Sequence, residues 1–204
     1  RYVDTLMTKT TNRKELINLE VGRELKEYYP KRSVALSDIV LEVKNLSGNG
    51  NEGISFSLRK GEILGVAGLV GSGRTEMANV IFGAAPKDTG EILINGSVAN
   101  INSPSKAIQC GIGLIPEDRK NHGCILNANI RFNVSLSVFD KYSSWMILNT
   151  KKINEVINFY SQKLSIRSPS LQQSVRNLSG GNQQKVILAR WLATNPQVLI
   201  LDEP

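Results

Sequence analysis

The stretch Gly68-Leu69-Val70-Gly71-Ser72-Gly73-Arg74-Thr75 governs the interpretation of this 204-residue chain. It follows an apolar run at 63–67 that predicts a strand, and it precedes an apolar periodicity at 77–82 that predicts a helix. A glycine-rich turn in this context presents backbone N–H groups to phosphate oxygens at the positive end of a helix. The expected phosphate-binding residues are Gly68, Gly71, Ser72, Gly73, Arg74 and Thr75.

Two side chains of this stretch, named the phosphate loop below, add chemistry to it. The Thr75 hydroxyl is placed to reach Mg²⁺, and Arg74 stands where the motif calls for a lysine. Arginine keeps the positive charge but is bulkier and planar, so nucleotide binding is a safer expectation than turnover. The motif alone leaves open a second interpretation, in which the glycines form only a tight connection.

A second glycine-rich motif, Leu178-Ser179-Gly180-Gly181-Asn182-Gln183-Gln184-Lys185, begins a helical pattern. Ser179 is a predicted N-cap, and the hydroxyl with the following backbone N–H groups predicts a second anion site. A simple capped helix explains the serine but not the adjacent glycines and amides. The expected contact residues of this motif, named the signature, are Ser179, Gly180, Gly181 and Gln183.

The chain closes with a third motif, in which the apolar run 198–201 leads into Asp202 and Glu203. Such a run predicts a buried parallel strand that delivers two carboxylates to a phosphate site. Asp202 fits a ligand of Mg²⁺, and Glu203 fits a group that orients or deprotonates the attacking water. The alternative is a pair of exposed acids at the end of a strand.

Composition excludes several classes of protein. The net charge is +7, but the basic residues are scattered, which favours a solvated surface over a nucleic-acid interface. The longest apolar stretch is too short to cross a bilayer, and no secretory signal is visible, so a cytoplasmic location is the default. Cys110 and Cys124 lack metal-binding spacing and are expected to be reduced.

The organisation of the chain predicts two parts. Residues 1–36 are interpreted as a tail plus linker, with an amphipathic helix over 14–29 that Pro30 stops. Residues 37–204 predict a folded domain, in which Thr150 caps a helix. The other predicted strands are 39–43, 54–58 and 91–94.

Taken in order, the three motifs resemble those of ATP-binding cassette (ABC) ATPases over residues 37–204. The resemblance implies an α/β P-loop NTPase fold with a RecA-like core, a small antiparallel β subdomain and a helical subdomain over 127–178. It also implies ATP and Mg²⁺ as cofactors, and a domain cut short at Pro204. In this family the signature closes over nucleotide held by a partner cassette, whereas Arg74, Thr75, Asp202 and Glu203 serve their own site.

Finer details, including Pro116-Glu117-Asp118-Arg119-Lys120, are similar to the second cassette of tandem sugar importers. That resemblance implies an ATPase subunit at the cytoplasmic face of a bacterial membrane that powers monosaccharide import. The implied partners are an upstream cassette, whose end residues 1–36 resemble, a membrane permease and, indirectly, an external substrate-binding protein. Soluble ABC ATPases that act on nucleic acid are disfavoured because no long coiled coil separates the first two motifs.

Three departures from the family pattern favour an alternative, a half that binds nucleotide without hydrolysing it. Glu117, the second candidate catalytic residue, replaces the expected glutamine. A carboxylate near the terminal phosphate repels it unless Mg²⁺ or Arg119 compensates. A surface acid in a loop, without a catalytic role, is an interpretation of Glu117 with the same weight. The loop at 47–53 lacks the aromatic residue that stacks on adenine, and Arg74 replaces lysine. His122 is expected to be a surface loop residue.

Overall fold

The computed structural model describes residues 4–8, 11–21, 37–145 and 147–203. The chain divides into two units, Arg1–Ala35 and Leu36–Pro204. In the first unit, α1 spans Arg13–Val21 and begins where the Asn12 side chain accepts a hydrogen bond from the Glu15 backbone N–H at 2.9 Å. The rest of the helix predicted over 14–29 lies outside the described residues.

The second unit alternates strands and helices along the chain. Its strands are β1 Ile39–Gly48, β2 Asn51–Arg59, β3 Thr89–Ile94, β4 Ser97–Val98, β5 Ile112–Ile115, β6 Ser143–Ser144, β7 Ile147–Leu148 and β8 Val198–Leu201. Its α-helices are α2 Arg74–Ile81, α3 Pro104–Gln109, α4 Ile130–Ser135, α5 Thr150–Lys163 and α6 Gly180–Ala193. Single helical turns lie at Arg119–Gly123, Leu136–Val138, Asp140–Tyr142 and Val175–Asn177.

An antiparallel sheet opens the second unit, with strand order β2-β1-β3-β4. The predicted strands at 39–43, 54–58 and 91–94 are present and extend further than their apolar runs. β1 and β2 form a hairpin that closes with Gly48 opposite Asn51. The side chains of Leu41, Val43 and Ile92 are buried, so one face of this sheet contributes to the core.

Residues 63–67 do not form the strand that their apolar run predicted. Ile63 is 98% exposed, and within 37–145 and 147–203 no strand pairs with this segment. Apolar residues supply β propensity, but a strand also needs a neighbour for its backbone N–H and C=O groups. The parallel pairing is instead made by β5 and β8, in register from Ile112 opposite Val198 to Ile115 opposite Leu201.

Two apolar clusters form the core. One packs the antiparallel sheet against α2, α3 and β5, and the other joins α4, α5 and α6. Trp191 of α6 packs against both clusters, and its ring lies edge-on to Phe82 at 5.3 Å between centroids. α6 therefore connects the α/β part of the unit with its helical part.

Helix boundaries differ from the sequence prediction at α5. Its N-cap is Asn149, whose side chain accepts a hydrogen bond from the Lys152 backbone N–H at 3.1 Å. Thr150 is the first helical residue, so the prediction that it caps the helix is wrong by one position. None of the helices in the described part of the chain has the length and apolar character needed to cross a bilayer.

Candidate nucleotide-binding site

The phosphate loop leads directly into α2. Gly71 and Gly73 have φ values of 80° and 87°, a left-handed conformation that favours glycine, and Gly73 is the residue that precedes the helix. The Ser72 backbone N–H donates to the Leu69 carbonyl at 3.0 Å and tightens the turn. A Cβ added at Gly68 would lie 2.3 Å from Ser72 Oγ, so a larger residue there would displace the Ser72 hydroxyl. The loop thus ends at the positive end of α2, as an anion site requires.

Asn51 supports this loop from the β1–β2 hairpin. Its side-chain Nδ2 donates to the Gly73 carbonyl at 3.2 Å, and a Cβ at Gly73 would lie 2.6 Å from Asn51 Oδ1. Sequence reasoning missed Asn51, because a single amide in a hairpin has no motif of its own. The loop at 47–53, which has no aromatic residue, therefore contacts the phosphate loop through an amide.

Asp202 lies at the end of β8, beside the phosphate loop. The Thr75 hydroxyl donates to Asp202 Oδ2 at 2.8 Å, and the Asp202 backbone N–H donates to the Ile115 carbonyl at 2.9 Å. Only 8% of Asp202 is exposed. The interpretation of a pair of exposed acids is therefore wrong for Asp202.

Glu203 pairs with the phosphate loop through a different residue. Its Oε1 lies 2.7 Å from Arg74 Nη2, and the Arg74 and Glu203 side chains are 27% and 46% exposed. Glu203 has a φ of 43°, a left-handed conformation that costs a non-glycine residue energy. Both residues line a cleft of about 480 Å³ with Asp202.

The donor set beside Asp202 fits Mg²⁺. Magnesium prefers oxygen ligands and is bound in proteins by one or two carboxylates plus phosphate oxygens and water. Asp202 and the Thr75 hydroxyl supply two such oxygens in contact with each other. Within the described residues no group of three or more His, Cys, Asp or Glu side chains could hold a metal ion. Phosphate oxygens and water would therefore complete the coordination of Mg²⁺.

The signature begins α6, and Ser179 is the N-cap residue of this helix, as predicted, but without a side-chain capping bond. Ser179 has the extended conformation of an N-cap residue, yet its side chain makes no hydrogen bond to the helix backbone. Its Oγ instead accepts a hydrogen bond from Asn182 Nδ2 at 3.1 Å. Gly181 is exposed, and a Cβ placed there would meet no atom within 4 Å. The first turn of α6 is therefore open to solvent at Gly181.

Gln183 differs from the rest of the signature. It is buried, and its Nε2 donates to the Val175 carbonyl at 3.2 Å. Its amide is therefore directed into the protein in this structure, and contact between Gln183 and nucleotide stays a prediction. Gln183 fixes the turn Val175–Asn177 against α6.

Glu117 is not brought into the cleft. Its side chain is exposed, and it is absent from the residues that line the cleft. The next residue, Asp118, accepts hydrogen bonds from the backbone N–H groups of Asn121 and Lys120, both at 3.0 Å. These bonds, the Asn121 bond above all, lower the pKa of Asp118. His122 is exposed in this turn, as expected.

The turn Arg119–Gly123 rests against the signature helix at both ends. A Cβ at Gly180 would lie 2.8 Å from Arg119 Nη2, and a Cβ at Gly123 would lie 2.6 Å from Ile187 Cδ1. Sequence reasoning also missed a contact between this turn and Arg190 of α6.

The Arg190 guanidinium donates to the Gly123 carbonyl, the Asn133 carbonyl and Asn133 Oδ1, each at 2.7 Å. Arg190 is buried, and desolvation lowers its pKa.

A family profile described as "ABC transporter" matches residues 51–204, and the chain belongs to that family. Among solved structures, cbiO1 of Clostridium perfringens, part of the complex cbiONQ, has a TM-score of 0.65 at 24% identity, covering 82% of this chain and 66% of that one. A dimeric ATP-binding cassette with ADP and Pi has a TM-score of 0.66 at 20% identity, over 79% and 72% of the two chains. These likenesses support the ABC ATPase fold.

Closer relatives are known by sequence. The ribose import ATP-binding protein RbsA of Clostridium perfringens (strain SM101 / Type A) is 48% identical over 206 residues, covering all of this chain and 41% of the relative. A putative ribose/galactose/methyl galactoside import ATP-binding protein of Halalkalibacterium halodurans is 45% identical over 205 residues, covering 100% of this chain and 39% of that protein. This chain thus spans about two fifths of the length of these relatives.

Proposed function

We propose that this chain belongs to the ATP-binding subunit of an importer that moves a monosaccharide through a membrane permease. The observation that carries the proposal is the contact between the Thr75 hydroxyl and Asp202 Oδ2, which joins the phosphate loop to the acidic end of β8. The relatives named for ribose and for ribose, galactose or methyl galactoside import indicate the class of solute.

The proposed chemistry is hydrolysis of ATP. The phosphate loop and Arg74 would bind the phosphates, and Thr75 with Asp202 would hold Mg²⁺, which neutralises phosphate charge when it is bound. Glu203 would orient or deprotonate the attacking water once its pair with Arg74 is released, because its carboxylate follows Asp202 and lines the same cleft. Glu117 is no longer a favoured catalytic residue, since it lies outside that cleft.

The proposed assembly pairs this cassette with another one. Ser179, Gly180 and Gly181 do not line the cleft of their own chain, which supports a role at nucleotide held by a partner. That partner would be an upstream cassette, to which residues 1–36 would belong, or a second ATPase subunit. The pair would contact the permease at the cytoplasmic face of the membrane, and the substrate-binding protein would act indirectly through the permease. No nucleic acid partner is proposed.

A second candidate function is a regulatory half that binds nucleotide without hydrolysing it. The ion pair between Arg74 and Glu203 favours this candidate, because it engages both a phosphate-binding group and the candidate base. The absence of an aromatic residue at 47–53 agrees with weaker recognition of adenine. The two candidates differ in what Glu203 does, and mutation of Glu203 separates them.

The test uses the full-length protein reconstituted with its permease in lipid vesicles, with the substrate-binding protein supplied on the opposite side of the membrane. ATP hydrolysis and uptake of labelled ribose, galactose and xylose are compared for the wild type, Glu203→Gln and the control Glu155→Gln. Glu155 is exposed on α5, so the control makes the same charge change away from the cleft. A large loss of turnover and uptake in Glu203→Gln alone supports hydrolysis at this site. Unchanged turnover supports the regulatory half, and absence of any ATP-driven sugar uptake by the wild type refutes import.

A further inference from the structure

The ion pair between Arg74 and Glu203 joins residues from two motifs that lie 129 positions apart. Within the described residues, each of these two side chains is ion-paired only with the other. The Nη2 to Oε1 distance of 2.7 Å is that of a charge-assisted hydrogen bond. The guanidinium that the phosphate loop offers to an incoming phosphate thus already has an anionic partner.

We propose that Arg74 has two alternative partners, Glu203 when no nucleotide is bound and the terminal phosphate of a nucleoside triphosphate when one is bound. Binding of the triphosphate and release of the Glu203 carboxylate are then a single exchange. This inference rests on the proposed function, because it concerns the regulation of the same site. It assigns to Arg74 the discrimination between triphosphate and diphosphate.

The chemistry of the partners supports the exchange. A terminal phosphate carries more negative charge than a carboxylate and offers three oxygens to the planar guanidinium fork. Glu203 and the phosphate repel each other, so both do not remain on one face of Arg74. A diphosphate has a shorter and less charged chain, and it leaves the pair with Glu203 intact.

Exposure makes the exchange easy. The side chains of Arg74 and Glu203 are 27% and 46% exposed, so water replaces part of the broken interaction and neither group is left buried without a partner. The left-handed backbone of Glu203, with φ at 43°, adds strain to the paired state. Release of the carboxylate allows this residue to relax.

The experiment is a double-mutant cycle on the full-length protein, with wild type, Arg74→Gln, Glu203→Gln and the double variant. Each is titrated with adenylyl imidodiphosphate, a triphosphate analogue that resists hydrolysis, and separately with ADP, both with Mg²⁺ at low salt. Hydrogen exchange of the peptide that contains residues 71–75 reports the affinity of this site even if another site binds nucleotide. Glu155→Gln is the control for charge, and thermal unfolding checks that each variant is folded.

If the inference is correct, Glu203→Gln tightens triphosphate binding. The factor by which the affinity rises is about two- to fivefold larger in the protein with Arg74 than in the Arg74→Gln variant. With ADP the two gains are equal. If Glu203 only repelled phosphate and did not compete for Arg74, Glu203→Gln would raise the affinity more in the Arg74→Gln background. The reason is that the Arg74 charge would no longer screen the repulsion there. A gain that is equal or larger in the Arg74→Gln background overturns the inference and leaves the proposed function standing. No protection of this peptide by either nucleotide in the wild type overturns both.

Discussion

The Thr75 hydroxyl donates a 2.8 Å hydrogen bond to Asp202, across 127 positions of sequence. This contact places the start of α2 next to the end of β8, and it gives the two oxygens of the candidate Mg²⁺ site a fixed relationship. A hydroxyl bound to a buried carboxylate also satisfies an acid that has little access to water.

We predict that Thr75→Ala weakens binding of Mg²⁺ and ATP at this site by roughly 10- to 100-fold, as expected for loss of a group that orients a metal-binding carboxylate. Thr75→Ser keeps the hydroxyl and should bind nearly as the wild type does. An azido-ATP photolabel, with its crosslink mapped to the peptide, measures this site with and without Mg²⁺. Equal losses in the alanine and serine variants would show that the hydroxyl has no part in binding.

A methyl group at Gly181 should separate stability from activity. The position is exposed, and a Cβ there meets nothing within 4 Å, so Gly181→Ala should leave the melting temperature unchanged or slightly raised. If this turn closes over nucleotide held by a partner cassette, the added methyl group would push the phosphate away from the backbone N–H groups of the turn. The ATPase rate of the full-length protein should then fall by about tenfold or more.

Asn158→Ala on the exposed part of α5 is the matched control for Gly181→Ala. Full ATPase activity in the Gly181→Ala protein, at an unchanged melting temperature, would remove the signature from the proposed site.

Arg190 should be among the most sensitive residues for stability. Arg190→Met removes three hydrogen bonds and leaves the carbonyls of Gly123 and Asn133 without that donor. The expected loss is about 3 kcal/mol in the free energy of unfolding, measured by urea denaturation. Arg167→Met, at an exposed position, is the control and should cost under about 0.5 kcal/mol. Similar losses in both variants would contradict the assigned hydrogen-bond network.

The two cysteines should differ in reactivity. Cys124 is buried, and desolvation raises its thiol pKa from the ordinary value of 9.0, whereas Cys110 is half-buried. At pH 8 iodoacetamide should modify Cys124 about tenfold more slowly than Cys110, as mass spectrometry of the tryptic peptides can measure. Faster modification of Cys124 would mean that the core around α4 and α6 opens readily.

The same pKa shift has a consequence for stability in alkali. Because the folded pKa of Cys124 is raised, the contribution of its protonated thiol is fully present below the unfolded pKa and is lost as pH rises through the folded one. Cys124→Ser should therefore reduce the fall in melting temperature above about pH 9. Cys110→Ser is the control, and its melting temperature should fall above that pH as much as that of the wild type.

The sequence was sufficient where function depends on local spacing. The glycines of the phosphate loop, the strand that delivers Asp202 and the helix that follows Ser179 are short-range patterns, and the structure contains all three. Strands were predicted equally well where alternating residues face one core. The ABC family itself could be recognised from these motifs.

Features that depend on tertiary contacts could not be predicted in this way. The pairs Arg74 with Glu203 and Arg190 with Asn133 join distant residues, and no local pattern specifies them. The strand predicted at 63–67 was wrong because β pairing is a property of two segments. Burial of Gln183 was missed because the signature pattern does not show which side chain of the helix faces the core.

The chain contains two tryptophans in contrasting surroundings. Trp145 is 95% exposed, whereas Trp191 on the signature helix lies edge-on to Phe82, the residue that ends the helix of the phosphate loop. Any shift of one helix against the other changes the environment of the Trp191 indole and hence its emission. When Trp145→Phe removes the solvent-exposed tryptophan, the fluorescence of Trp191 reports relative movement of the two phosphate-binding motifs in this segment.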